Sequence, residues 1–384
     1  MSSQEAAERG SSPDPDPAEF LNDPRFHQTF TLPAGPNRPH PFQVTYSDYG
    51  YRNVDDPSRE HVMLLCGPLL GSRYLHIAKD ELAKKYGVRI INPDRPGFGG
   101  TSEVGVQDRV RVWLEMVPAL LEHLGVRHIS VASHSCGTIY ALNTLLHLRH
   151  LLSPTRPYVG LCTPWVRPSR SGITTMTLAG GLPDAVLGKF HAVAGFFNRS
   201  VGPAVEMSSV AFNRLLPSPQ ATPPTAAPGP GGNMAKFEQR LWEPLFKRVY
   251  SENTQGLSQD VILLLKRGGD AGYWGAWQDY DTFVPLLANA ERSLAAGAAA
   301  AAGAGASKLR VEVFFSEQDH LIGTKDGPKW FDHCWRAEQR GDEIEYTSCV
   351  VPGTEHDYIL RLGFDVFERM LRQIAGTDQT LALA

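Results

Sequence analysis

Phe26–Thr31 and Phe42–Ser47 alternate apolar with polar side chains, the period of half-buried strands, and a proline-rich turn separates them. From there the pattern repeats as strand, loop and helix. His61–Leu65 is a short apolar run of the kind found in buried strands, and Leu75–Tyr86 gathers its apolar residues on one helical face. Val88–Ile91 predicts a strand, Asp108–Leu124 a helix closed by Gly125, and His128–Ala132 another strand. Gly137–His150 predicts a helix and Tyr158–Cys162 a strand. Strands alternating with helices of this length predict βαβ units and a mostly parallel sheet.

The alternation then stops. It returns at Leu309–Phe315 (strand), Lys329–Glu338 (helix), Ile344–Val351 (strand) and Phe364–Ala375 (helix). Between lie a Pro/Gly-rich tract, Pro217–Gly232, and an Ala/Gly tract, Ala295–Ala306, separated by a helical, aromatic-rich block from Lys236 to Leu287. Neither tract can supply a core, so both are expected to be flexible loops; part-helix is the alternative for the second, with its glycines counting against it. The order predicts one α/β domain in two parts, 25–165 and 308–384, interrupted by a helical cap at 166–307. Residues 1–24 are rich in Ser, Asp, Pro and Glu, and predict a disordered tail.

Composition narrows the class. Of 384 residues, 42% are hydrophobic and 20% charged, enough apolar material for a sizeable core and against wholesale disorder. The 37 Lys and Arg against 41 Asp and Glu leave a net charge of −4, without the basic footprint of a nucleic-acid binder. Val261–Leu265 comes nearest to a membrane span, but it stops at Lys266, far short of the ~18 residues required. The N-terminus has no apolar region of a secretory signal, and the final Leu-Ala-Leu-Ala is no peroxisomal address. The five cysteines (66, 136, 162, 334 and 349) are odd in number and lack metal-ligand spacing, which reads as reduced thiols. The expectation is a cytoplasmic protein with no nucleic-acid partner and no stable membrane insertion. Oligomeric state stays open.

The chemistry concentrates at Ser133-His134-Ser135-Cys136-Gly137, between a predicted strand and a predicted helix. Taken alone, Ser135 also fits an ordinary helix N-cap. With small residues two before and two after Ser135, the segment resembles the nucleophile elbow of the α/β-hydrolase superfamily, Ser133 replacing the first Gly of G-x-S-x-G. The resemblance implies an α/β-hydrolase fold, with the acid and then the base in loops after later strands. Asp319, in Ser316-Glu317-Gln318-Asp319-His320, matches the acid, and His356, in Pro352-Gly353-Thr354-Glu355-His356-Asp357, the base. Glu317 is the rival acid, set aside because the family's acid sits four residues beyond the strand's last apolar position, here Phe315. His320, Glu355 and Asp357 are expected in the surroundings, and His134 in the pocket wall.

The resemblance further implies two backbone oxyanion donors. One is the N–H of Cys136. The other belongs to Cys66-Gly67-Pro68-Leu69-Leu70-Gly71-Ser72, which is similar to the family's His-Gly-x-x-Gly-Ser loop. Pro68 stands where the donor belongs and has no N–H, so the role passes to Leu69. Asn92–Ser102 looks like the family's D-x-x-G-x-G-x-S loop, led by Asp94, and lacks the spacing of a nucleotide-binding loop. The 166–307 insertion falls between the sixth and seventh strands, where family members carry a lid, and its aromatics, among them Trp242, Phe246, Trp274, Trp277 and Tyr280, would line an apolar pocket or fill the lid's own core. The implied activity is that of a serine hydrolase, without metal or cofactor, forming an acyl-enzyme on Ser135 from an ester-type bond of a small-molecule, largely apolar substrate, with amide, thioester or carbon–carbon cleavage as variants. A non-catalytic ligand-binding relative, favoured by Pro68 and Cys66, and an acyltransferase are the alternatives.

Overall fold

The structure, a computed structural model, describes residues 15–192, 194, 232–265, 272–302 and 307–377. Its strands are β1 (Gln28–Leu32), β2 (Phe42–Gly50), β3 (His61–Cys66), β4 (Val88–Pro93), β5 (Ser130–His134), β6 (Tyr158–Cys162), β7 (Leu309–Gln318) and β8 (Ile344–Glu355). They form one sheet in the order β1-β2-β4-β3-β5-β6-β7-β8. The β1–β2 and β2–β4 pairs are antiparallel and all later pairs parallel. β4, β5 and β6 are buried along their whole length, as a parallel sheet covered on both faces requires.

The helices are α1 (Pro17–Leu21), α2 (Asp80–Lys85), α3 (Arg109–His123), α4 (Gly137–His147), α5 (Pro168–Ser171), α6 (Thr174–Gly180), α7 (Asp184–Leu187), α8 (Gly232–Ser251), α9 (Gly256–Leu265), α10 (Tyr280–Ala302), α11 (Asp326–Cys334), α12 (Ala337–Arg340) and α13 (Val366–Ala375). α4 is buried from Gly137 through Leu145, because the sheet lies under it and α10 packs beside it. α13 lays Val366, Phe367, Met370, Leu371 and Ile374 on the sheet's other face.

Three expectations are corrected. Residues 17–24 are not tail: Leu21 is buried, Phe20 packs edge-on against Phe237 of α8, and Arg25 bridges Asp23 and Asp80. One apolar pair in a polar segment suffices to dock a single turn of helix, and Phe26 follows it into the core. The Ala/Gly tract is not a loop as far as Ala302, since α10 runs through it; consecutive alanines outweigh the cost of Gly297, about 1 kcal/mol. The segment Leu75–Tyr86 yields only a 3₁₀ turn, Ile77–Lys79, followed by the short α2. Apart from Gly232, which begins α8, the Pro217–Gly232 tract lies outside the described residues.

Between β6 and β7 every described regular element is a helix. The insertion meets the rest of the chain through its carboxylates: Glu238 pairs with Lys79, Glu252 with Arg73, Asp260 with Arg95 and Arg109, and Glu291 with Arg149. Its aromatic rings pack mainly on one another and on α11, with Trp277 4.8 Å from Phe283 and Tyr280 4.5 Å from Phe331 between ring centres. No described helix is long and apolar enough to cross a membrane.

Candidate active site

β5 runs two residues beyond the apolar pattern, because Ser133 and His134 still pair, with Leu161 and Cys162 of β6. The chain then turns at Ser135, whose φ of 52° lies in the left-handed region that side chains other than glycine rarely adopt. Two contacts hold that strained turn. The Ser135 N–H donates to Cys162 O at 2.9 Å, and α4 starts so close to β3 that a Cβ on Gly137 would run into Cys66 O.

β7 and β8 also outrun their apolar cores, ending at Gln318 and Glu355 with a register shift near Ser316. Asp319 and His356 are therefore the first residues after parallel strands, beside Ser135. His356 Nε2 lies 2.7 Å from Ser135 Oγ, and its Nδ1 lies 2.7 Å from Asp319 Oδ2. Asp319 is fixed from every side: Oδ1 accepts from the N–H groups of Leu321 and Ile322, both at 2.9 Å, and Oδ2 accepts from Ser316 Oγ at 3.0 Å. Glu317 is exposed and turns the other way, accepting from Gly353 N–H at 2.9 Å.

Ser135, Asp319 and His356 are all buried, so the charges of the carboxylate and the imidazolium act with little screening. Burial alone would raise the Asp319 pKa, but the His356 charge and the hydrogen bonds lower it below the usual carboxylate range. Burial likewise pushes the imidazole of His356 down, and the facing carboxylates of Asp319 and Asp357 outweigh it, leaving the pKa above 6.5. An ionised Asp319 can only accept, so Nδ1 of His356 carries the proton and Nε2 is left to accept from Ser135. The thiols of Cys136 and Cys66 are driven up by burial, Cys66 to about 12, so neither is a thiolate at neutral pH.

No protein-family model and no curated protein sequence matches the chain. Solved structures do. It is similar to an esterase from Thermogutta terrifontis at 14% identity, over 91% of this chain and 97% of that one, with a TM-score of 0.51. A carboxylesterase of Nitrososphaera gargenis matches at 14% identity over 91% and 100%, with a TM-score of 0.52. A hydrolase from Pseudomonas aeruginosa matches at 13% over 91% and 98%, with a TM-score of 0.50. With the strand order above, these likenesses decide the architecture. The chain has the α/β-hydrolase fold.

In this α/β-hydrolase fold the loop after β3 lies against the start of α4. Leu69 and Cys136 are buried, and among the described residues the backbone N–H of neither has a protein acceptor. Sequence reasoning missed what holds His356 from behind. His134 Nε2 lies 2.9 Å from His356 O, and since a carbonyl only accepts, that nitrogen carries the proton. Burial and the neighbouring His356 hold the His134 pKa down at about 4, so its ring stays neutral. Thr163, itself at a φ of 39°, reaches the same carbonyl at 3.4 Å. Position in the motif signals only that His134 flanks Ser135; nothing local signals its contact with a loop more than two hundred residues away.

His134, His356 and Asp357 bring three ligand-type atoms within 4.8 Å of one another. Both ring nitrogens of His356 are already engaged by Ser135 and Asp319, so a cation there would have to break one of those bonds.

Proposed function

We propose that the chain is a serine hydrolase that cleaves an ester-type bond of a small, largely apolar substrate through an acyl-enzyme on Ser135. The observation that carries this reading is the buried series Ser135–His356–Asp319, each link 2.7 Å, with Ser135 on a strained turn. A serine hydroxyl is a weak nucleophile until a base takes its proton, and the base needs an orienting carboxylate. Ser135 Oγ attacks the carbonyl carbon while His356 Nε2 accepts the hydroxyl proton, and Asp319 stabilises the imidazolium that results. The tetrahedral oxyanion is received by the N–H groups of Cys136 and Leu69, which have no protein acceptor among the described residues to give up. The intermediate collapses as His356 passes the proton to the leaving alcohol. Water then repeats the sequence on the acyl-enzyme, releasing the acid and restoring Ser135.

Esters are preferred over amides, thioesters and carbon–carbon bonds because the similar structures are described as an esterase and a carboxylesterase. The described helices between β6 and β7 serve as the cap over this site, and the burial of Ser135 makes their movement a condition of substrate entry. Five unpaired cysteines suit a reducing compartment, which supports the cytoplasm. Pro68 favours the second reading, a ligand-binding protein without turnover, since it removes one backbone donor from the loop beside Ser135.

A fluorophosphonate separates the two. The protein is expected to be labelled at Ser135 and nowhere else, and Ser135→Ala to remain unlabelled. A folded wild-type chain that takes no label would leave the binding reading in place.

A further inference from the structure

The loop after β3 converges on one charged side chain. Arg95 Nη1 donates to Gly67 O at 2.6 Å, and Nη2 donates to Pro68 O and, at 2.9 Å, to Leu69 O. The described peptides are all trans, so a carbonyl aimed at Arg95 turns the N–H of its own peptide the opposite way. For the Pro68–Leu69 peptide, that N–H belongs to Leu69. A charged donor on the carbonyl also polarises the peptide and makes its N–H a stronger donor.

Arg95 is itself fixed by the insertion. Its Nε donates to Asp260 Oδ2 at 2.8 Å, while Asp260 Oδ1 accepts from Arg109 Nε and Tyr140 Oη, both at 2.7 Å. All four side chains are buried. Asp260 stands on α9, and the first residue of that helix is tied to the loop carrying Arg95, with Gly256 N–H donating to Gly97 O at 2.8 Å. On the other side of the guanidinium, Gly71 leaves room: a Cβ there would come within 2.7–2.8 Å of the Arg95 Cζ, Nε and Nη2 atoms.

We propose that Arg95, anchored by Asp260 of the insertion, is a positioning residue that holds residues 67–69 so that the Leu69 N–H replaces the oxyanion donor Pro68 lacks. This rests on the serine-hydrolase reading above. It makes the insertion a part of turnover as well as a cover, because Asp260 reaches the reacting atoms through Arg95 and one peptide plane. Arg109 grips the same carboxylate but touches none of the three loop carbonyls.

That difference supplies a matched pair. Arg95→Lys and Arg109→Lys both keep a buried cation beside Asp260, yet only the first breaks the three-carbonyl grip. For a p-nitrophenyl ester, Arg95→Lys is expected to lower kcat about 10- to 100-fold, with KM within about threefold of wild type. Phenylboronic acid, a tetrahedral mimic on serine, should weaken by the same factor. Arg109→Lys should lower Tm while keeping kcat within about threefold. Gly71→Ala displaces the guanidinium without removing it and should show the same split between kcat and KM; it decides the matter if Arg95→Lys does not fold. Equal kcat losses in the two lysine variants, or losses that track Tm, would overturn the positioning role. A wild type labelled at Ser135 with an unimpaired Arg95→Lys variant overturns this proposal alone, whereas an unlabelled wild type overturns the hydrolase reading with it.

Discussion

On one side of Ser135, every contact comes from the ends of sheet strands: Cys162 of β6 fixes the turn, Asp319 and His356 leave β7 and β8, and His134 of β5 holds the His356 carbonyl. On the other side, residues 67–69 are held by Arg95, and Arg95 by a carboxylate from an inserted helix. The strand-end half is over-determined, since Asp319 alone accepts four hydrogen bonds. The loop half hangs on one guanidinium. A sheet positions what grows directly from it, and a glycine- and proline-containing loop has to be positioned from outside.

The sharpest way to break that contrast is to attack the strand-end half. Ser135→Ala or His356→Ala should lower kcat by about 10⁴-fold or more, in a steady-state assay with the ester that wild type turns over best. Asp319→Asn should cost about 10³–10⁴-fold, because an amide in place of the carboxylate favours the wrong imidazole tautomer; a loss under tenfold would remove Asp319 from the mechanism. Stability offers a different measure. Phe26 is fully buried although it lies just past the segment that reads as tail, and Phe26→Ala should destabilise by about 3–5 kcal/mol in urea titration. An unchanged midpoint would mean that the chain entering β1 adds nothing to the core.

Acidity probes the charges around His356. In the proposed mechanism His356 acts in its neutral form, and its pKa is raised above 6.5 by Asp319 and Asp357 against the opposing effect of burial. Turnover should therefore rise with pH through a midpoint above 6.5, read from kcat/KM between pH 5 and 9. The protonated His356–Asp319 pair stabilises the fold fully below the unfolded histidine's pKa, and that contribution fades as pH climbs through the folded one. Activity gains where this piece of stability is lost. A midpoint at or below 6.5 would mean that Asp319 does not face the imidazole as a carboxylate. The smallest effect belongs to Gly297→Ala in α10, where an added Cβ meets nothing within 4 Å. It should stabilise by about 0.5–1 kcal/mol, seen as a small rise in Tm with turnover unchanged.

What could be read from the amino acids follows the same division. The parallel part of the sheet is legible because its strands are short apolar runs bounded by turn residues, and Ser135, Asp319 and His356 stand out because they match, in chain order, the α/β-hydrolase nucleophile, acid and base a few residues after such runs. Strand ends were less so: Ser133 and His134 are polar yet buried in β5, and no alternation announces a polar pair inside a sheet. Asp260 left no readable trace. It precedes the apolar run Val261–Leu265, whose chemistry drew attention only as a failed membrane span, and its partners Arg95 and Arg109 are 165 and 151 residues away. Long-range ion pairs carry no periodicity. The five-residue α1 escapes a sequence reading for a related reason, since one turn of helix is too short to show a period and is held by contacts such as those of Phe20 with Phe237 and Phe26.

The ring of carboxylates that ties the insertion to the core also decides how the chain melts and what can be done with it. Lys79 and Arg109 are buried in the core, and their carboxylate partners, Glu238 and Asp260, belong to the insertion. Removing either carboxylate alone, as in Glu238→Ala or Asp260→Ala, would leave a buried cation without its partner, at a cost of about 3–5 kcal/mol for each broken pair. The insertion is therefore not a module that can be grafted or swapped. Calorimetry of the whole chain should show one cooperative transition, and a first peak belonging to the insertion alone would contradict this.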